Sequence, residues 1–144
     1  MTFDFLILAI MKNRLLTAEL LEALKPFPLY FQEETRIHEQ KALAAFAIGS
    51  IRWYITEGSP EGNTFTFFGL VCGMSETPEL GYINADELAA VTVDASPYGF
   101  PRGVVYRVEP VKDFKPCKLY DIDAPDVKHY CKKWETFYRS KGEW

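Results

Sequence analysis

Histidine is scarce in this 144-residue chain: His38 and His129 are the only two. His38-Glu39 begins like a zinc-protease motif, but no second histidine follows four residues on, so a tetrahedral site cannot be built there and no metal is expected. His38 is therefore expected in a solvated loop. His129 stands two residues from Cys131, a spacing that points the two side chains to different faces of a helix and excludes a Cys-His nucleophilic pair. Cysteine is almost as sparse. Cys72, Cys117 and Cys131 are far apart, odd in number and without a Cys-x-x-Cys pair, which excludes a disulfide framework and a zinc ribbon and suits a reducing compartment, the cytoplasm.

The nine glycines spell neither Gly-x-Gly-x-x-Gly nor Gly-x-x-x-x-Gly-Lys, so no phosphate loop and no nucleotide cofactor is expected. Ser59, Ser75 and Ser96 lack the Gly-x-Ser-x-Gly elbow of an esterase. Long hydrophobic runs are missing too. Phe5 to Met11 is apolar throughout, but a membrane-spanning helix needs about 20 such residues, and Asp4 stands where a secretory signal carries basic ones. Met11 directly precedes an amphipathic stretch and offers an alternative start, which would make residues 1 to 10 a local addition. A formal net charge of -4 is too small to name a nucleic acid or any other charged partner.

What remains is an ordinary globular composition, 48% hydrophobic and rich in aromatics at 15%, enough apolar surface for one domain spanning residues 1 to 144. Thr17 reads as an N-cap, with Glu19 in the first turn and Leu20, Leu21 and Leu24 at helical spacing, and Pro26 and Pro28 stop that helix. Thr35 to Lys41 reads as a loop or a single helical turn. Short aromatic and branched runs then predict strands over 42–48, 51–57, 64–72 and 79–83. Gly49-Ser50 is expected as a tight turn and Gly58 to Asn63 as a longer polar hairpin loop. Asn84 or Asp86 is expected to cap a short helix over 87–91, and 104–108 adds a strand. Asp126 is expected to cap a last helix with Val127, Tyr130, Cys131, Trp134 and Phe137 or Tyr138 on one apolar face. The whole predicts an α+β domain: a mostly antiparallel sheet of four to six strands, with an N-terminal and a C-terminal helix packed on it. Phe65 to Leu70 is apolar on both faces, as in a central strand covered by a helix on each side.

Leu15-Leu16-Thr17 with Pro28-Leu29-Tyr30, then Trp53-Tyr54-Ile55-Thr56-Glu57, Phe67-Phe68-Gly69-Leu70-Val71 and Glu79-Leu80-Gly81-Tyr82, followed by a short helix and Gly99-Phe100-Pro101, resemble the domain of unknown function 2958 family. The likeness covers residues 14 to 108. It implies a setting on bacterial plasmids, conjugative elements and phages, among anti-restriction genes, and no activity. Two departures stand out: the polar run after the Gly-x-Pro segment reads Arg102-Gly103-Val104-Val105 here, and the basic, aromatic helical extension over 115–144 has no counterpart in shorter relatives.

Three functions compete. The first is a small non-enzymatic accessory protein of a mobile element that binds a host or element-encoded protein, inhibition of a host defence system (anti-CRISPR or anti-restriction) being one form. Tyr30, Trp53, Tyr54 and Tyr82, if exposed, suit such an interface, since Trp and Tyr are favoured anchors. The second is a nucleic-acid or nucleotide module using sheet aromatics and the tail's Lys132, Lys133, Trp134 and Arg139 to stack on bases and meet phosphate. The third is a hydrolase in which Glu57 and Glu79, or Glu33, converge for acid and base work. In the bland alternative, the strand-end acids solvate a sheet rim and the tail is an amphipathic helix with a wet basic face.

Overall fold

The computed structural model describes residues 12–142, so the apolar run Phe5 to Met11, the alternative start at Met11 and the terminal Trp144 lie outside the described residues. Helix α1, Ala18–Leu24, starts where Thr17 Oγ1 accepts a hydrogen bond from Leu20 N at 3.1 Å and ends before Pro26. A 3-10 turn at Ile37–Glu39 leads into β1 (Lys41–Ala42), β2 (Ala44–Ile48), β3 (Ile51–Glu61), β4 (Thr64–Cys72) and β5 (Glu79–Asn84). Helix α2, Ala85–Ala89, is capped by Asn84, whose Oδ1 accepts from Glu87 N; it begins two residues earlier than expected.

Strands β6 (Thr92–Asp94) and β7 (Val105–Arg107) form a separate two-stranded ribbon, so the segment read as one more strand of the main sheet mostly stands apart from it. Strands β8 (Glu109–Pro110) and β9 (Cys117–Lys118) are two residues each. Helix α3, Pro125–Ser140, closes the described chain, with Ala124 at its N-cap. Asp126 therefore sits inside the first turn, where its carboxylate accepts from Val127 N, rather than at the cap; the proline fills the first helical position instead.

The main sheet is antiparallel, in the order β5-β4-β3-β2-β8. The fold is thus α+β, as the pattern predicts. The hairpin expectation fails: Gly58 to Asn63 is not a long loop. β3 runs on to Glu61, and Gly62-Asn63 alone make the turn, Gly62 having φ +61°. Gly58 lies within the strand, where a Cβ would come 2.6 Å from the Phe65 ring, so any side chain there would have to displace that ring.

Two apolar layers cover the sheet. On one face Trp53, Ile55, Phe65 and Phe67 pack with Leu15, Leu20 and Leu24 of the N-terminal segment and Leu88 of α2. On the other, Tyr54, Leu70 and Cys72 pack with Leu119, Val127 and Cys131, so α3 closes a core layer and is no mere appendage. The helices thus flank the central strand on both sides. Among the described residues no helix is long and apolar enough to cross a membrane.

Candidate functional site

The site begins with a fault in a strand. Tyr54 pairs with Leu70 and Ile55 with Gly69, but the next pair is Glu57 with Phe68, so Thr56 is an extra residue. Such a bulge exchanges the two faces of everything beyond it. Without it Glu57 would follow Trp53 and Ile55 into the apolar layer under α1; with it, Glu57 turns to the α3 face and Gly58 takes the place in the core. Thr56 is held by its hydroxyl, which donates to Phe68 O at 3.1 Å, and by its carbonyl, which accepts from Gln32 Nε2 at 2.9 Å.

Glu57 is only 4% exposed, and its carboxylate is spent on the loop that crosses above it. Oε1 accepts from Tyr30 N at 3.1 Å and Oε2 from Gln32 N. The same loop is tied down at Leu29 N, which donates to Ser59 Oγ at 2.8 Å, and at Gln32 Oε1, which accepts from Lys41 N at 2.7 Å. Tyr30 sits at φ +73°, left-handed backbone that costs a residue with a side chain roughly 1–3 kcal/mol and persists only where its surroundings impose it. The Glu57 carboxylate and the Gln32 amide are those surroundings.

What this strained turn displays is a ring. Tyr30 is 61% exposed and lies edge-on to Tyr82, itself 60% exposed, with centroids 6.3 Å apart. Tyr82 in turn meets Phe68 at 5.1 Å. Glu57, Phe68 and Tyr82 are register partners across β3, β4 and β5, so they stand in one row on one face. A hollow of about 220 Å³ opens beside the row, lined among others by Tyr30, Glu33, Ile37, Glu57, Phe68 and Leu80. A second hollow of about 430 Å³ lies on the other side of the tyrosine pair, lined by Glu61, Thr66, Asn84 and Glu87. The Tyr82 hydroxyl is pushed up to about 12, chiefly by its hydrogen bond with Tyr30, with the negative charges of Glu33 and Glu57 adding in the same direction.

The other predicted residues fall elsewhere. Trp53 and Tyr54 are 5% and 7% exposed, one in each core layer, so neither belongs to an exposed aromatic surface. Glu79 pairs with Val71 and points to the face opposite Tyr82 and Glu57, so of the two carboxylate pairs in the hydrolase reading Glu57–Glu79 is not assembled, while Glu57 and Glu33 line the same hollow. Lys132, Lys133 and Arg139 are exposed on α3 and Trp134 is half-buried; none of the four lines either hollow, and Arg139 bridges to Glu135 at 3.0 Å. His38 is a correction of the opposite kind. It is 4% exposed, with its ring 5.7 Å from Tyr138 and 6.3 Å from Tyr120, because the 3-10 turn is clamped between α3 and the segment before it. No group of three or more His, Cys, Asp or Glu suited to a metal ion occurs among the described residues.

Two features escape sequence reasoning. Phe68 completes the hollow beside Tyr30; counting register outward from the β4–β5 turn would have placed Phe68 beside Tyr82. The ribbon and its connecting segment also carry Tyr98, Phe100 and Tyr106, all exposed, with Tyr106 in ring contact with Tyr98 at 6.2 Å and Phe100 at 5.8 Å, beside a hollow of about 560 Å³ against the Ile48–Ile51 turn. Their irregular, turn-rich segment has no periodicity that marks a surface. Compared with protein-family models, curated proteins and solved structures, the chain matches none.

Proposed function

We propose that this chain is a protein-binding module that receives an extended segment of its partner along the outer edge of β5, with Tyr82 and Tyr30 as anchors. The carrying observation is that edge. Its six residues, Glu79 to Asn84, pair only with β4 among the described residues and include no lysine, proline or bulge, the devices by which sheets shield a free rim. Strand addition supplies backbone hydrogen bonds, and exposed tyrosines beside the added strand supply selectivity.

The resemblance to the domain of unknown function 2958 family supports a setting: an accessory protein of a mobile element whose partner is a host or element-encoded protein, with inhibition of a defence nuclease as the form that setting favours. The glutamates around the exposed sheet aromatics weigh against phosphate at this surface, and with it against the nucleic-acid reading.

The test replaces Tyr82 with a photo-crosslinking phenylalanine derivative in bacteria that carry the gene. One dominant adduct is expected, lost in the Tyr30→Ala variant and accompanied by slowed amide exchange along β5. An adduct unaffected by Tyr30→Ala, with β5 amides exchanging as in the free protein, refutes the edge. Transformation of a restricting host by unmodified DNA, with and without the gene, tests the setting separately.

A further inference from the structure

The two hollows on either side of Tyr82 share a chemistry. Four glutamates line them, Glu33 and Glu57 in one and Glu61 and Glu87 in the other, and neither has a lysine or arginine in its lining. In both, the acids stand beside exposed ring surface from Tyr30 and Tyr82, to which the first hollow adds Phe68. Ring faces attract cations through their quadrupole, and carboxylates alongside add a hydrogen-bond acceptor and opposite charge. An apolar side chain would leave those carboxylates without a counter-charge, and an acidic one is repelled.

The hollows also have a spacing. Leu80, Tyr82 and Asn84 alternate along β5 onto one face, opposite Leu70, Phe68 and Thr66 of β4. The first hollow lies over the Leu80 and Phe68 side of Tyr82, the second over the Asn84 and Thr66 side. A strand added outside β5 would place its own alternate side chains on that face about 6.6–6.8 Å apart, the two-residue repeat of a strand. Accepting the β5 edge as the docking line, we infer that the incoming segment carries two basic residues two positions apart, Lys-x-Lys or its arginine equivalents, one cation entering each glutamate-lined hollow. The long aliphatic stems lie along Tyr82 while the charged ends reach the carboxylates. Glu57, buried and engaged by two backbone hydrogen bonds, adds negative charge to the first hollow, while the exposed Glu33 is the carboxylate that meets the cation.

The test uses the full chain, isotope-labelled, titrated with two acetylated eight-residue peptides: one with Thr-Lys-Val-Lys-Thr at its centre, the other with glutamine for both lysines. Amide shifts along β5 report where they bind. The lysine peptide is expected to bind at least about tenfold more tightly, with the gap closing as salt screens the charges. The Glu33→Gln, Glu61→Gln double variant, altered only at exposed positions, is expected to lose the preference while keeping its own amide spectrum. Equal shifts of the β5 amides by both peptides refute the cation inference and leave the edge reading standing. If neither peptide moves β5 at saturating concentration, edge and inference fall together.

Discussion

Replacing Glu57 tests whether one buried carboxylate holds the strained turn. In Glu57→Ala the Gln32 N–H loses its acceptor in a buried place, which costs about 1–3 kcal/mol. The Tyr30 N–H loses one where water can enter, for about 1 kcal/mol. Release of the left-handed strain at Tyr30 returns part of this, since the residue is then free to leave φ +73°. The net expectation is a loss of about 2–3 kcal/mol, a large share of a typical total of roughly 5–15 kcal/mol. Urea unfolding followed by the fluorescence of Trp53, buried in the core, reads this as a midpoint lowered by about 1–1.5 M if m is near 2 kcal/mol/M. Glu57→Gln keeps the size and one acceptor oxygen but turns an NH2 toward the other donor, so it should also destabilise, by less than alanine. Exchange at the Tyr30 and Gln32 amides should quicken in both. An unfolding free energy within about 0.5 kcal/mol of the parent in Glu57→Ala, with those amides unchanged, would refute the claim that this carboxylate anchors the loop.

Gly69→Ala should be more damaging, because a Cβ there would lie 2.1 Å from Tyr54 O beside the bulge and the β3–β4 backbones cannot part locally; we expect a loss above about 3 kcal/mol or failure to fold, read by circular dichroism and urea midpoint. Burial pushes the Cys72 thiol up to about 12 and the Cys131 thiol up to about 11, so both bind their protons more firmly folded than unfolded. Their contribution is complete below the unfolded value near 9 and is lost as pH rises toward 11–12; urea midpoints should hold level through pH 8 and fall above 9, less steeply in Cys131→Ala. Under native conditions a thiol reagent should label half-buried Cys117 first, with Cys72 and Cys131 reacting only on addition of urea. Removal of residues 126–144 strips Val127 and Cys131 from the second core layer and should abolish the cooperative thermal transition, not merely binding.

Much of this architecture is legible because β2, β4 and β5 are runs of aromatic and branched residues bounded by turn residues, and because α1 and α3 follow the helical period. The hairpin after β3 misleads for a definite reason. Gly58, Ser59 and Pro60 look like a turn, yet each serves the strand in its own way. Gly58 makes room for Phe65, Ser59 accepts from Leu29 N, and Pro60 pairs with Phe65 near the strand end. The bulge at Thr56 is equally hidden. Its one trace is a glutamate at the position where Trp53 and Ile55 set an inward period, a polar residue on an apolar beat that signals a change of face. Aromatic content suggests a surface, but alternation alone cannot decide which ring a helix will cover, so sequence groups Trp53 and Tyr54 with Tyr30 and Tyr82. Burial of His38 depends on α3 returning to a turn about a hundred residues earlier, a long-range contact without local signature.

The opposite margin of the sheet is only two residues, Glu109 and Pro110, and proline has no amide hydrogen to donate to a neighbour. Growth by repeated lateral addition needs two competent flanks on every copy, and among the described residues the main sheet has one such long margin. Strand addition at β5 would therefore stop at a closed pair, without the repeated stacking that builds fibres.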